Sequence, residues 1–217
     1  MDSQIIKSIA AQLRQPDGEM GLEIAARMNQ GNAFMNRFAI EQLQLSGNET
    51  LLEIGSGNCL FAKELLTKHA NLRYRGVDYS DLMILEAKKM IKEFIQEGRA
   101  SMHHTSIADL PFPDETCDKI LGVNVIYFWD APEVELKELG RVLRPGGHIV
   151  LGMRAKETME QLPVTKYNFN LYSKADISTF VEKAGLSLKE IATTPEVITN
   201  INGEKMDTKT WAVVIGK

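Results

Sequence analysis

The segment Leu51-Leu-Glu-Ile-Gly-Ser-Gly-Asn-Cys59 limits what this chain can fold into more than any other stretch. Its start, Leu51 to Ile54, has the apolar run of a buried parallel strand. Gly55 and Gly57 let the backbone turn sharply and let a ligand lie against it. Leu60, Phe61, Leu65 and Leu66 follow at the spacing of one helix face. Strand, glycine turn and helix form the opening unit of a nucleotide-binding α/β domain. A dinucleotide fingerprint would place Gly or Ala at the sixth position of the turn. Leu60 stands there, which weakens a pyrophosphate reading.

The rest of the chain keeps the alternation. Strands are expected near 50–54, 73–77, 100–104, 118–124, 147–153, 187–192 and 210–216, and helices near 58–68, 81–97, 131–142 and 173–184. Such alternation implies a parallel sheet covered on both faces. Residues 1–46 are helical in pattern and are broken into two pieces by Pro16-Asp-Gly18. Pro195 to Thr208 reads as a long connection in a final hairpin, with a turn at Asn202-Gly203. A chain of 217 residues with 44% apolar content suits one α/β domain, residues 1–217.

The pattern Glu53-x-Gly55-x-Gly57 resembles the first motif of class I S-adenosylmethionine-dependent methyltransferases, and further segments are similar to that family in the same order. Gly76-Val-Asp78-Tyr-Ser80 precedes a helical stretch, with Met83 at the family's spacing. Asp78 lies about 20 positions after the glycine turn, where a carboxylate can accept from both hydroxyls of a ribose. Leu110-Pro-Phe-Pro-Asp114 and Arg141-Val-Leu-Arg-Pro-Gly-Gly147 are similar to the small-molecule branch, which includes the quinone-biosynthesis type. These matches span residues 50–153.

The resemblance implies a Rossmann-like, doubly wound, seven-stranded and mostly parallel sheet, its last strand antiparallel beside the fifth. It implies S-adenosylmethionine as methyl donor, S-adenosylhomocysteine as product and a small-molecule acceptor. It points to Glu53, Gly55, Ser56, Gly57, Asp78, Tyr79, Met83, Ser106, Ile107 and Asn124 as cofactor contacts. In quinone-type relatives an Asp sits four residues before the Leu of Leu-Pro-Phe; that position is Ser106 here, and Asp109 is out of register. The Ile107 main chain is the candidate partner for an adenine ring nitrogen.

The acceptor side is less marked. The family places the segment after the fourth strand beside the methyl donor, and here it carries Asn124, Tyr127, Phe128 and Trp129. Tyr127 is the candidate for acceptor binding or proton transfer, with ordinary core packing as the alternative. The stretch 154–172, with Arg154, Tyr167 and Phe169, is long for a connector and is read as a substrate-side insertion or lid; a packed surface flap is the alternative. Residues 1–46 are read as a helical cap, 47–153 as the cofactor-binding core and 173–217 as the rest of the sheet. Asn29 and Asn32 either face the site from the cap or cap a helix break near Gly31.

Composition excludes several classes. A net charge of −4 and no basic patch argue against nucleic acid as partner. No run reaches the roughly 18 apolar residues of a membrane span, and the N-terminus lacks a signal-peptide pattern, so a cytoplasmic setting is expected. Cys59 and Cys117 have no metal or disulfide spacing. Cys59 is either a thiol activated by a helix N-terminus or a packing residue. His103 and His104 would point to opposite faces of a strand, and no metal is expected. A non-catalytic cofactor-binding regulator is the competing class, and a nicotinamide-dependent oxidoreductase is the third.

Overall fold

The N-terminal stretch folds as three helices where the sequence suggested two pieces: α1 Ser3–Arg14, α2 Gly18–Gly31 and α3 Ala33–Leu43. Asn32, at φ −108° and ψ 4°, interrupts the second piece. The coordinates are a computed structural model that describes residues 2–200 and 203–217. The three helices divide the work of a cap. Met35, Ala39 and Leu43 of α3 are fully buried. A Cβ at Gly152 of the sheet would lie 3.1 Å from Ala39, so helix and sheet meet closely there. Thus α3 covers the sheet, whereas α1 and α2 lie over the cleft at its edge.

The core follows as β1 Thr50–Ile54, α4 Leu60–Lys68, β2 Arg73–Asp78, α5 Asp81–Met90, α6 Lys92–Gln96, β3 Ala100–His104 and β4 Cys117–Val123. Then come α7 Pro132–Val142, β5 Leu143–Arg154, α8 Lys156–Met159, α9 Lys174–Lys183, β6 Ser187–Thr199 and β7 Lys205–Gly216. The seven strands form one sheet in the order β3-β2-β1-β4-β5-β7-β6. The first five pair in parallel. The last strand, β7, runs antiparallel between β5 and β6, as the family resemblance implied.

Burial explains the sheet. All five residues of β1 are buried, because helices cover both faces. Neighbouring residues point to opposite sides: Leu52, Ile120 and Leu151 join a cluster with Leu136, Leu139 and Ile177 of α7 and α9. Leu51, Leu121 and Val150 join the other cluster, with Leu43, Leu66 and Ala87 of α3, α4 and α5.

Two expectations need correction. The helix foreseen at 81–97 is divided at Ile91, a fully buried residue at φ −113°. The long connection foreseen at Pro195 to Thr208 is mostly strand, since β6 and β7 stay paired out to Thr199 and Lys205. Proline misled the reading because β6 is an edge strand, paired only with β7, where a missing N–H is tolerated. Asn202 of the foreseen turn lies outside the described residues.

Candidate active site

Sheet order reverses between β1 and β4, and the carboxyl ends of β1, β2, β4 and β5 open there into one cavity of about 1290 Å³. Small-molecule sites more often hold roughly 300–1,000 Å³. This cavity therefore has room for two ligands side by side.

One end is built largely from backbone. Gly55 and Gly57 adopt positive φ values of 61° and 54°. A Cβ at Gly55 would fall 2.4 Å from Val125 Cγ1, so both backbone and space require glycine there. The Gly57 N–H donates to Asp78 Oδ2 at 2.9 Å, and the Ser80 N–H donates to Asp78 Oδ1 at 2.9 Å. Burial raises the Asp78 carboxyl above its ordinary range, and these amides pull the other way. Each oxygen keeps acceptor capacity for a further hydroxyl. The neighbouring Glu53 is buried and accepts from the Tyr74 hydroxyl at 2.6 Å. Burial, with the nearby Asp78 charge, pushes its carboxyl up to about 7.

Ser56, Tyr79, Met83, Ser106 and Ile107 also line this end. The Tyr79 hydroxyl donates to the Arg14 carbonyl and accepts from Arg14 Nε, while Ser80 Oγ donates to the Pro16 carbonyl. The turn between α1 and α2 is thereby fastened to the end of β2. Asp109 is exposed and outside the cavity wall. Cys59 is buried against the Tyr74 hydroxyl and the Met102 sulfur. Burial pushes its thiol up, so it is a packing residue and not an activated nucleophile.

The other end is built from side chains brought from distant segments. Asn124 sits at φ 58°, directly after β4. Arg154, the last residue of β5, donates to Asn32 Oδ1 at 3.2 Å, to the Gly31 carbonyl at 3.1 Å and to Glu196 Oε1 at 3.2 Å. Asn29 donates to Asn58 Oδ1. Asn32 stands at the break between α2 and α3 without a side-chain cap to α3, and both asparagines line the cavity. Trp129 and Phe169 are in the wall, and Phe169 packs on Phe128 with ring centroids 4.7 Å apart. Met159, Leu162 and Val164 carry the 154–172 segment into the wall as well.

Of two tyrosines assigned to the pocket from sequence, Tyr127 lines the cavity wall and Tyr167 does not. Tyr167 is outside the cavity wall, and its hydroxyl pairs with Ser3 Oγ at 2.8 Å, holding the insertion to α1. Tyr127 is fully buried, accepts from the Arg154 N–H at 2.7 Å and donates to the Arg154 carbonyl at 3.3 Å. Burial also pushes its phenol up. A hydroxyl so engaged braces β5 and is a poor agent of proton transfer.

Two buried carboxylates in the wall, Glu135 and Glu196, escaped sequence reading. Glu196 fell in the supposed loop, and its partner Arg154 is 42 residues away. Glu135 lies on an otherwise ordinary amphipathic helix. Among the described residues, four buried side-chain atoms have no hydrogen-bond partner: Asn124 Oδ1, Trp129 Nε1, Glu135 Oε2 and Arg154 Nε. All four residues line this one cavity. No group of three or more metal-ligating side chains occurs among the described residues.

A reversing parallel sheet, a glycine turn and an acidic residue ending the next strand define a nucleotide-binding α/β protein. Residues 52–151 match the methyltransferase domain family. Over this stretch, a little under half of the chain, the sequence is similar to methyltransferases. It is 27% identical over 126 residues to the uncharacterized methyltransferase YdaC of Bacillus subtilis, covering 58% of this chain and 67% of that protein. It is 28% identical over 117 residues to the ubiquinone/menaquinone biosynthesis C-methyltransferase UbiE of Geotalea daltonii, covering 53% of this chain and 49% of that one. A crystal structure of an S-adenosylmethionine-dependent methyltransferase from Aquifex aeolicus superimposes with a TM-score of 0.65 at 18% identity, over 99% of this chain and 98% of the other. No helix among the described residues is long and apolar enough to cross a membrane.

Proposed function

We propose that this chain transfers the methyl group of S-adenosylmethionine to a small molecule bound in the side-chain-built end of the cavity. The observation that carries the reading is one cavity whose wall holds the glycine turn, Asp78 and four residues with unpartnered buried polar atoms. An unpaired buried polar group costs roughly 1–3 kcal/mol, so such a cluster is the signature of a site that completes its hydrogen bonds with ligands.

The residues present fit the cofactor. Asp78 would hold the ribose diol, Met83, Ile107 and Ser106 would meet the adenine, and Asn124 and Glu53 would serve the methionine end. When bound, the sulfonium supplies an electrophilic methyl group. The protein's task is to hold the acceptor in line and exclude water, which in favourable cases contributes about 7–11 kcal/mol of barrier lowering. That task needs no dedicated base, in keeping with the engaged hydroxyl of Tyr127. The room beyond the glycine turn favours an enzyme over a regulator that only binds the cofactor.

Calorimetric titration with S-adenosylmethionine, S-adenosylhomocysteine and NADPH tests the reading. The first two should bind and the third should not; tight NADPH binding without S-adenosylhomocysteine binding refutes it. A methyl-acceptor screen on the same protein then separates an enzyme from a binder.

A further inference from the structure

Leu110-Pro-Phe-Pro-Asp114 and Arg141-Val-Leu-Arg-Pro-Gly-Gly147 meet in space, although Leu110 and Arg141 are 31 residues apart. The sheet order explains why. β3 and β4 are separated by β2 and β1, so the chain between them, residues 105–116, must cross both. A crossover between parallel strands usually contains a helix, which satisfies its own backbone. This one carries neither helix nor strand, so its main-chain groups need partners from outside.

Two side chains of α7 supply them. Glu138 Oε1 accepts from the Leu110 N–H at 3.0 Å, and Arg141 Nη2 donates to the Leu110 carbonyl at 3.1 Å. Leu110 is thus held by both of its main-chain groups. Arg141 also donates to the Phe112 carbonyl at 2.9 Å, to Asp114 at 2.7 Å, and to the two Glu138 oxygens at 2.6 and 2.8 Å. These five bonds engage all five guanidinium N–H groups. The pair therefore acts through the chain it grips and not on a ligand directly. Just before Leu110 lies the turn that enters the cavity wall with Thr105, Ser106 and Ile107. Its start is fixed by the Thr105 N–H, which donates to the Asp78 carbonyl at 3.2 Å. Thr105 Oγ1 ties the turn across to the Asp109 carbonyl at 3.0 Å. Its far end is fixed at Leu110, by Glu138 and Arg141 and by burial in the core.

We propose that Glu138 and Arg141 are positioning residues for the purine base of the cofactor: they set Leu110, and through it the turn that presents the Ser106 side chain and the Ile107 main chain to the base. This rests on the methyltransferase reading of the cavity. Reading a base by hydrogen bonds needs the partners held to within about 0.5 Å. A turn bound to no neighbouring strand does not supply that by itself, whereas a rigid planar fork on five acceptors does. Arg144, three residues on, offers a contrast. It pairs with Asp118 at 2.6 Å and donates to the Glu115 carbonyl at 3.1 Å. That pair lies at the start of β4, at the opposite end of the strands from the cavity, and neither residue lines it.

Calorimetric titration of the full chain with S-adenosylhomocysteine and S-inosylhomocysteine tests the proposal. The inosyl compound carries a carbonyl and an N1–H where the adenosyl compound carries an amino group and a bare ring nitrogen. The wild type should prefer the adenosyl compound by at least about tenfold, because the inosyl edge leaves the turn's hydrogen bonds unmade. Arg141→Lys keeps the charge but loses the fork, and should cut that preference to less than about threefold by weakening the adenosyl compound. Should that variant fold poorly, Glu138→Gln is the milder change and should reduce the preference by at least about threefold. Arg144→Lys should leave the preference within about twofold of wild type. An unchanged preference in a folded α7 variant, even with both ligands weakened alike, marks a merely structural role and overturns the proposal. An equal loss of preference in Arg144→Lys, or a wild type that binds both compounds alike, overturns it too. Failure of S-adenosylhomocysteine to bind the wild type overturns the underlying methyltransferase reading instead.

Discussion

The two ends of the cavity are made in different ways. The cofactor end depends on main-chain geometry: positive-φ glycines, amides donating to Asp78, and strands that stop side by side. Its link from the glycine turn to the carboxylate, Gly57 to Asp78, spans 21 residues, and the fastening of Tyr79 and Ser80 to Arg14 and Pro16 reaches farther, across 65 and 64. The acceptor end depends on side chains from three separate segments, with Arg154 joined to Asn32 across 122 residues and to Glu196 across 42. A site built from backbone is written into a short motif. A site built from distant side chains can vary without disturbing the sheet, so the same scaffold can take different acceptors.

The largest effect should come from splitting the acceptor-side pair. Glu196→Ala leaves a buried guanidinium without its counter-ion and should cost about 3–5 kcal/mol of stability in urea unfolding, most of it recovered in R154M/E196Q. S-adenosylhomocysteine affinity should stay within a few-fold in the double variant. A comparable loss of cofactor binding there would show that the two ends are not independent.

Next is a pH effect at the cofactor end. The Glu53 carboxyl is raised from 4.5 to about 7 in the folded protein, chiefly by burial. A raised carboxyl contributes stability that is fully present below its unfolded value and is lost as pH rises through the folded value. Between pH 5 and pH 8 the ligand-free protein should therefore lose about 2–3 kcal/mol more stability than Glu53→Gln, as measured by urea unfolding. Parallel profiles for the two proteins would remove Glu53 as a titrating group.

A smaller effect tests the alignment of the ribose carboxylate. Asp78→Ala should weaken S-adenosylhomocysteine at least about tenfold by calorimetry, since it removes charged hydrogen bonds. Asp109→Ala should change it by less than about twofold, being exposed and outside the wall. Equal losses would move the adenine contact away from Ser106. The smallest effect belongs to Tyr127→Phe, which should cost about 1–2 kcal/mol of stability through its lost bonds to Arg154. Once an acceptor is in hand, its turnover should fall far less than the roughly 10²–10⁴-fold loss of a general acid or base.

Glu53-Ile-Gly-Ser-Gly57, Asp78 and the apolar run of β1 were enough to place a nucleotide-binding sheet and one half of its cleft, because glycine turns and parallel strands are local consequences of residue type. The antiparallel last strand came through family resemblance. The extent of β6 did not, since Pro195 reads as a breaker unless it is known to lie on an edge. Tyr127 looked chemically available in sequence, yet burial and the Arg154 main chain engage its hydroxyl. Tyr167 looked like part of the pocket and instead binds α1. Glu196 carries no local signal, because a lone carboxylate in a strand has meaning only through the guanidinium it meets. The chain's own order of residues determined the fold class and the glycine-turn end of the cavity, through short-range backbone preferences. Only the tertiary structure decided the other end, because burial and pairing between segments as far as 123 residues apart are properties of the packed molecule.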